Sequence, residues 1–199
     1  MKLAPRDFDG LLKSPQQVGA VLLYGADAGQ VRQRAAQLQA AWLGPNPDPM
    51  GTLEITPEKM KEDGAILADE MASMSLMASR RVITVREVED AHLGHIQAAL
   101  AGRSADNFLV LYTTESLPST SKLRVWAERS AEVAAVALYK DEGAGLEQFI
   151  RDTLRGYGLR AGTEVIRYLA AQLSGDRQII LNELEKLSLY VGDEVEEVT

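Results

Sequence analysis

At 199 residues, 46% hydrophobic and 25% charged, the chain has room for one sizeable domain, or for a domain with a smaller companion, of an ordinary globular type. No apolar run approaches the roughly 20 residues of a membrane span, Met1-Lys2-Leu3-Ala4-Pro5 opens no signal-peptide pattern, and the lack of Cys excludes disulfides and thiolate metal sites and suits a reducing cytoplasm. The net charge of −8 is uneven, with 6 basic and 11 acidic side chains in residues 142–199 against 15 and 18 before them, so no basic excess drives DNA binding, a nucleic-acid contact needs a local patch or a partner that supplies the positive field, and a protein is favoured over DNA as the direct partner.

Short apolar runs alternate with helical segments over the first two-thirds, the pattern of a mostly parallel α/β sheet. The spacing predicts strands at 19–24, 52–55, 81–86, 107–113 and 134–139, the last two almost continuously apolar, as strands covered on both faces are. Helices are predicted at 29–43, 57–74, 91–102 and 119–130, with Thr56-Pro57 starting the second as N-cap and N1 and Asp90 capping the third. Gly44-Pro45-Asn46-Pro47-Asp48-Pro49 is a loop. After Lys140-Asp141-Glu142-Gly143-Ala144-Gly145 the pattern changes: no strand is expected, and helices at 145–156, 161–173 and 176–191 form a separate module. Its core is expected from Phe149, Ile150, Leu154, Val165, Leu169 and Leu173, with Leu184 and Leu187 inward and Glu183, Glu185 and Lys186 partly exposed. The acidic stretch Asp193-Glu194-Val195-Glu196-Glu197 follows.

The first strand runs into a glycine turn and then a helix, which is the scaffold of a phosphate loop. That loop needs G-x-x-x-x-G-K-[ST], because the lysine reaches the β/γ-phosphates and the hydroxyl holds magnesium. Here Gly25 and Gly29 are only four apart, Asp27 lies between them, and Gln30-Val31 stand where lysine and Ser/Thr should follow. Backbone amides of this turn leave weak nucleotide binding open, without the charge the lysine would add. The run 107–113 ends in Tyr112-Thr113-Thr114-Glu115 rather than an acid pair, and Glu115 reads as a solvated loop residue. His92 and His95 share a helical face but lack further metal ligands, and no Ser/His/Asp constellation is present. The expectation is a protein that holds a partner, with no cofactor, no metal and no catalytic residue. The alternative is a diverged nucleotide-dependent ATPase or kinase of the P-loop type.

Ser73-Met74-Ser75-Leu76-Met77 places three large apolar side chains within four positions, more than one helix face buries. Apolar residues ahead of a strand are ordinarily core, yet methionine also suits a partner's irregular hydrophobic surface.

An α/β domain followed by a helical lid is the arrangement of AAA+ proteins, and three stretches sharpen the match. Leu22-Leu23-Tyr24-Gly25-Ala26-Asp27 resembles the "LLYGxD" opening of the bacterial DNA polymerase III delta subunits, the clamp-loader components that open the sliding clamp. Met74-Ser75-Leu76-Met77-Ala78-Ser79-Arg80-Arg81-Val82 is similar to their "MSLFxxRRxV" segment, with Met77 where Phe is common, and Asn182-Glu183-Leu184-Glu185-Lys186-Leu187 matches "NELEKL". Ser121-Lys122-Leu123 fits "LDxxSKL", although Leu117-Pro118 replaces Leu-Asp.

The resemblance implies a degenerate AAA+ (RecA-like) domain over 1–141, a three-helix lid over 142–199, and the absence from this chain of the family's collar domain. It implies no ATPase activity of the chain's own, in a subunit grouped with DNA-directed DNA polymerase, a nucleotidyltransferase. Met74, Leu76 and Met77 would enter the hydrophobic pocket of the sliding clamp, and Gly25, Asp27, Gly29 and Gln30 would form a non-functional phosphate loop. The implied partners are the clamp, the clamp-loader ATPase and delta-prime subunits, and primed DNA through the assembled complex. The implied place of work is the cytoplasm, away from membranes.

Overall fold

The structure, a computed structural model, describes residues 1–74, 80–138, 144–173, 177–192 and 197–198. The chain divides into two compact units, 1–138 and 139–199.

In the first unit the strands are β1 (Lys2–Leu3), β2 (Ala20–Tyr24), β3 (Thr52–Ile55), β4 (Arg81–Arg86), β5 (Asn107–Thr113) and β6 (Val133–Ala137). They form one parallel sheet in the order β1-β6-β2-β5-β4-β3. The helices are α1 (Phe8–Lys13), α2 (Ala28–Leu43), α3 (Pro57–Glu62), α4 (Ile66–Ala72), α5 (Leu93–Ala101) and α6 (Lys122–Arg129). Alternate residues of each strand serve opposite faces. Val21, Leu23, Val82, Phe108 and Val110 pack with Phe8 and Leu11 of α1 and Val31, Leu38 and Trp42 of α2. Leu22, Tyr24, Ile83, Leu109 and Leu111 pack with Leu67 and Met71 of α4, Ile96 of α5 and Leu123 of α6. The sheet is therefore covered on both sides, which is why its strands read as unbroken apolar runs.

Four details depart from the sequence reading. The predicted helix 57–74 is two, because Asp63 turns the chain by accepting from the Ala65 N–H at 2.9 Å. Residues 1–18 also supply β1, α1 and short 3₁₀ turns at Pro5–Asp7 and Pro15–Gln17, none of them expected. The expected helix 91–102 starts as a 3₁₀ turn at Asp90–His92, and its cap is Glu89. The Glu89 N–H donates to His92 Nδ1 at 3.1 Å, and burial holds that imidazole below its ordinary pKa. Asp90 instead reaches the start of α6: Oδ1 accepts from Ser121 Oγ at 2.6 Å and the Leu123 N–H at 2.9 Å, and Oδ2 from the Lys122 N–H at 3.0 Å. A carboxylate there satisfies orphan amides and meets the positive end of the helix dipole.

The second unit contains α7 (Ala144–Gly156), α8 (Thr163–Gln172) and α9 (Arg177–Val191). Ile150, Leu154, Leu159, Ile166, Ile180 and Leu184 form its core, and Leu187 packs against it. On α8 the core register centres on Ile166 rather than on Val165, which is half-buried. The expectation of no strand in this region was wrong: β7 (Arg160–Ala161) pairs in parallel with β8 (Glu197–Val198). The ladder is two residues long, too short to leave an alternating pattern in the sequence.

Hydrogen bonds from Ser121, Leu123 and Lys122 hold the Asp90 pKa below its ordinary value. Its stabilising contribution is thus complete above the unfolded pKa near 3.8 and is lost as pH falls through the lower folded value. Asp90→Asn should lower stability by about 1 kcal/mol at pH 7, and urea midpoints of variant and parent should converge toward pH 3. A constant gap across that range would show that the charge is not what matters.

Candidate functional site

In an open parallel sheet, ligands bind beyond the carboxyl ends of the strands where the order reverses. Here that point is the end of β2, flanked by β5 and β6. The turn after Tyr24 occupies it, and main chain closes over it. The Leu138 N–H donates to Tyr24 O at 2.7 Å, and the Gly25 N–H donates to Glu115 O at 3.1 Å. Gly25 has φ +152, and a Cβ there would sit 1.7 Å from Leu138 O, so only glycine fits. Asp27 is 1% exposed and caps α2, accepting from the Gln30 N–H at 2.9 Å. Gly29 and Gln30 are buried as well. A helix start whose amide is already bound to a carboxylate repels a second anion rather than cradling one.

The same edge carries Glu87, with φ +50, a left-handed conformation that costs a non-glycine residue about 1 kcal/mol. Its carboxylate accepts from Thr114 Oγ1 at 3.2 Å and from Thr113 Oγ1 and the Thr114 N–H at 3.4 Å, tying the end of β4 to that of β5. Glu115 is exposed, as the sequence suggested. His95 Nδ1 lies 3.0 Å from Gly64 O and His92 serves its own turn, so the two imidazoles meet different partners. Among the described residues no group of three or more His, Asp or Glu side chains is placed to hold a metal ion.

The opposite edge holds the stem of the apolar segment. Arg81 and Asn107 begin β4 and β5 and are register partners. Both reach the end of α4. Asn107, 1% exposed, donates its amide to the carbonyls of Ser73 at 2.8 Å, Met71 at 2.9 Å and Glu70 at 3.2 Å. Arg81 pairs with the Glu70 carboxylate at 2.6 Å and donates to Ser73 Oγ at 2.6 Å. Arg80 turns to the other face of the sheet, donating to Trp42 O at 3.1 Å with its guanidinium 5.5 Å from the Trp42 ring centroid. Trp42 in turn stacks on Phe108, ring centroids 4.7 Å apart. The two arginines that end the segment therefore fasten it to both layers. Met74, between Ser73 and the segment, is 82% exposed. Leu76 and Met77 lie outside the described residues.

The structure thus gathers Gly25, Asp27, Gly29 and Gln30 in one closed turn and puts Met74 at the far edge of the sheet. Sequence reasoning gave no role to Asn107, Glu70, Arg80 or Arg81. The one available signal was an asparagine opening an otherwise apolar strand, a polar group that burial obliges to find partners.

No protein-family model matches the chain. The probable DNA polymerase III subunit delta of Rickettsia prowazekii is 26% identical over 186 residues, covering 92% of this chain and 54% of that protein. The chain resembles a DNA polymerase III delta subunit. The resemblance read from Leu22–Asp27 and Asn182–Leu187 therefore stands, and the chain spans about half the length of the curated relative. Among solved structures, the Bacillus subtilis DNA clamp loader delta protein superposes with a TM-score of 0.67 at 18% identity, over 98% of this chain and 59% of that one. The Thermotoga maritima RuvB Holliday junction branch migration motor follows at 0.56 and 15% identity, over 98% and 64%. Domain III of the Thermotoga maritima replication initiation protein DnaA gives 0.52 and 14%, over 98% and 85%. At these identities the structural matches establish the fold, an AAA+-like α/β sheet followed by a helical module.

The amide of Asn107 makes a local prediction. Asn107→Leu keeps the bulk and strips a donor from the α4 carbonyls, which should cost about 1–3 kcal/mol. Hydrogen exchange should show protection lost first at residues 70–73, ahead of the rest of the sheet. A uniform loss across the unit would mean that the side chain acts only as filler.

Proposed function

We propose that the chain is the clamp-binding part of a delta-type clamp-loader subunit of DNA polymerase III, with residues 1–141 as its AAA+-like domain and 142–199 as its lid. Met74, Leu76 and Met77 dock in the hydrophobic pocket of the sliding clamp. The contact then favours the open ring, and only a higher affinity for the open form supplies that work. The observation that carries this reading is the stem: an exposed Met74 leaving a helix end fastened by Asn107 and Arg81, at the position where the sequence matches the delta "MSLFxxRRxV" pattern. ATP acts on partner subunits, the loader ATPases and delta-prime, and primed DNA is met through the assembled complex in the cytoplasm.

The reading includes no ATPase activity in this chain. The Asp27 carboxylate on the α2 amide, the Leu138 main chain against Gly25 and the missing lysine all support that. They weigh against the P-loop ATPase or kinase alternative. Titration calorimetry with ATP and magnesium should detect no micromolar affinity, and a turnover abolished by substituting Gly29 would overturn this part.

The deciding experiment is affinity capture with the sliding clamp of the same organism. Anchors of this size are each worth roughly 1.5–3 kcal/mol on burial, so Leu76→Ala with Met77→Ala should weaken clamp binding by about two to three orders of magnitude. Folding stability should barely change, whereas truncating core residues would cost about 2–5 kcal/mol each. Unchanged clamp binding with a large fall in melting temperature would make these residues core and end the proposal.

A further inference from the structure

The second unit carries a basic cavity that the clamp contact does not use. Arg151 and Arg155 lie four apart and so share a face of α7. The helix then ends in a Schellman reversal: the Leu159 N–H donates to Leu154 O at 2.9 Å, the Gly158 N–H to Arg155 O at 3.1 Å, and Gly158 takes φ +78. The chain doubles back and sets Arg160, first residue of β7, beside the two helical arginines. All three line one cavity of about 250 Å³, floored by Leu154, Leu159, Ala161 and Ile166.

None of the described residues lining this cavity is acidic; Glu197 is the register partner of Arg160 in the β7–β8 ladder. Arg155 has Asp152 at 3.7 Å, an exposed pair that solvent screens. Neither Arg151 nor Arg160 forms an ion pair with a described residue, and the Arg151 Nε–H is buried without an acceptor. Half of the six basic side chains of residues 142–199 thus converge on one point of a unit that is otherwise acidic. We propose that Arg151, Arg155 and Arg160 form a phosphate-binding site whose ligand is the sugar–phosphate backbone of nucleic acid.

Guanidinium forks match phosphate oxygens in pairs. Three of them suit a strand that presents successive charges better than they suit a single carboxylate. The side chains of the floor offer no hydrogen-bonding group, so the site reads charge and not base, the mark of a backbone contact. Acids outnumber bases 11 to 6 over residues 142–199, so the net charge of this unit disfavours a polyanion where no basic cluster offsets it. The choice of nucleic acid over other polyanions rests on the clamp-loader reading, while the anion site itself rests on the geometry alone.

The test uses the full chain and a fluorescent primed DNA, with anisotropy read across a salt series. Changing Arg151, Arg155 and Arg160 to Gln should weaken binding about tenfold or more at low salt and flatten the log–log salt slope by about 2, at roughly 0.7–0.9 per phosphate contact. A control that removes the same charge elsewhere, with Arg32, Lys61 and Arg129 changed to Gln, should bind as the parent does. The proposal fails if the site variant keeps its affinity and slope, if the control loses as much, or if the parent binds no DNA. Inorganic phosphate that raises the melting temperature of a parent unable to bind DNA would also overturn it, as a small-anion site only. Clamp capture by the site variant should be unchanged. A parent that captures the clamp but binds no DNA sinks this inference alone, and a parent that captures no clamp sinks the earlier reading instead.

Discussion

A parallel sheet packed on both faces leaves the chain only the two ends of its strands for function. Four of the six strands here, β2, β4, β5 and β6, give both faces to helices, so the interior is committed to burial. At the carboxyl ends, where such sheets ordinarily receive a ligand, main-chain hydrogen bonds from the segments after β5 and β6 close onto Tyr24 and Gly25. A Cβ at Gly25 would collide with the Leu138 carbonyl, so the glycine is held by close approach of backbone to backbone. The turn carries glycines at 25 and 29, and main chain fills the space above Gly25. Asp27 adds to this closure: its carboxylate supplies, from within the chain, a negative charge at the start of α2.

The amino ends carry the other load. With seven residues, α4 is far below the roughly 12–15 that make a helix marginal by itself. Leu67 and Met71 anchor one side of it, and its last carbonyls go to the Asn107 amide and the Arg81 guanidinium. The Arg81–Glu70 pair is partly shielded and short, so it is worth more than an exposed ion pair of the same charge. Arg80 and Arg81 leave the same strand end toward opposite faces, because successive strand residues alternate. One fastens to the α2 layer at Trp42 and the other to α4.

The sequence made the sheet legible wherever burial on both faces left continuous apolar runs, as at Phe108–Leu111 and Val133–Val136. It made a helix start legible where a side chain caps its own helix, as Thr56 does, whereas the spacing puts the start of α6 at 119, ahead of its Ser121 cap. It misled where a cap serves a distant helix: Asp90 stands before α5 in the chain but caps α6 in space. Short elements escaped because they carry too few residues for a period, as with β1, α1 and the β7–β8 ladder. The split between α3 and α4 was written in Asp63-Gly64, yet the apolar spacing ran through it. Of the candidate site, the lack of the phosphate-loop lysine after the Gly25 turn was readable from residue types. The bracket around Ser73 was not, because the meaning of Asn107 depends on a carbonyl cluster 34–37 residues earlier in the chain.

For the proposed clamp-opening role, that bracket matters more than any single apolar contact. Binding that must bias a ring toward its open form loses whatever free energy goes into ordering the binder itself. Ordering one backbone residue costs on the order of 1–2 kcal/mol, so a freely swinging stem of three or four residues would absorb most of what two buried side chains return. Asn107 and Arg81 fix residues 70–73 before any partner arrives, and Arg80 and Arg81 fix the return at the start of β4. The cost of ordering the stem is met during folding, by hydrogen bonds that the sheet edge would otherwise leave unmade. A methionine such as Met74, adaptable at its tip, can then sit on a rigid base, which divides the work so that the base supplies position and the tip supplies fit.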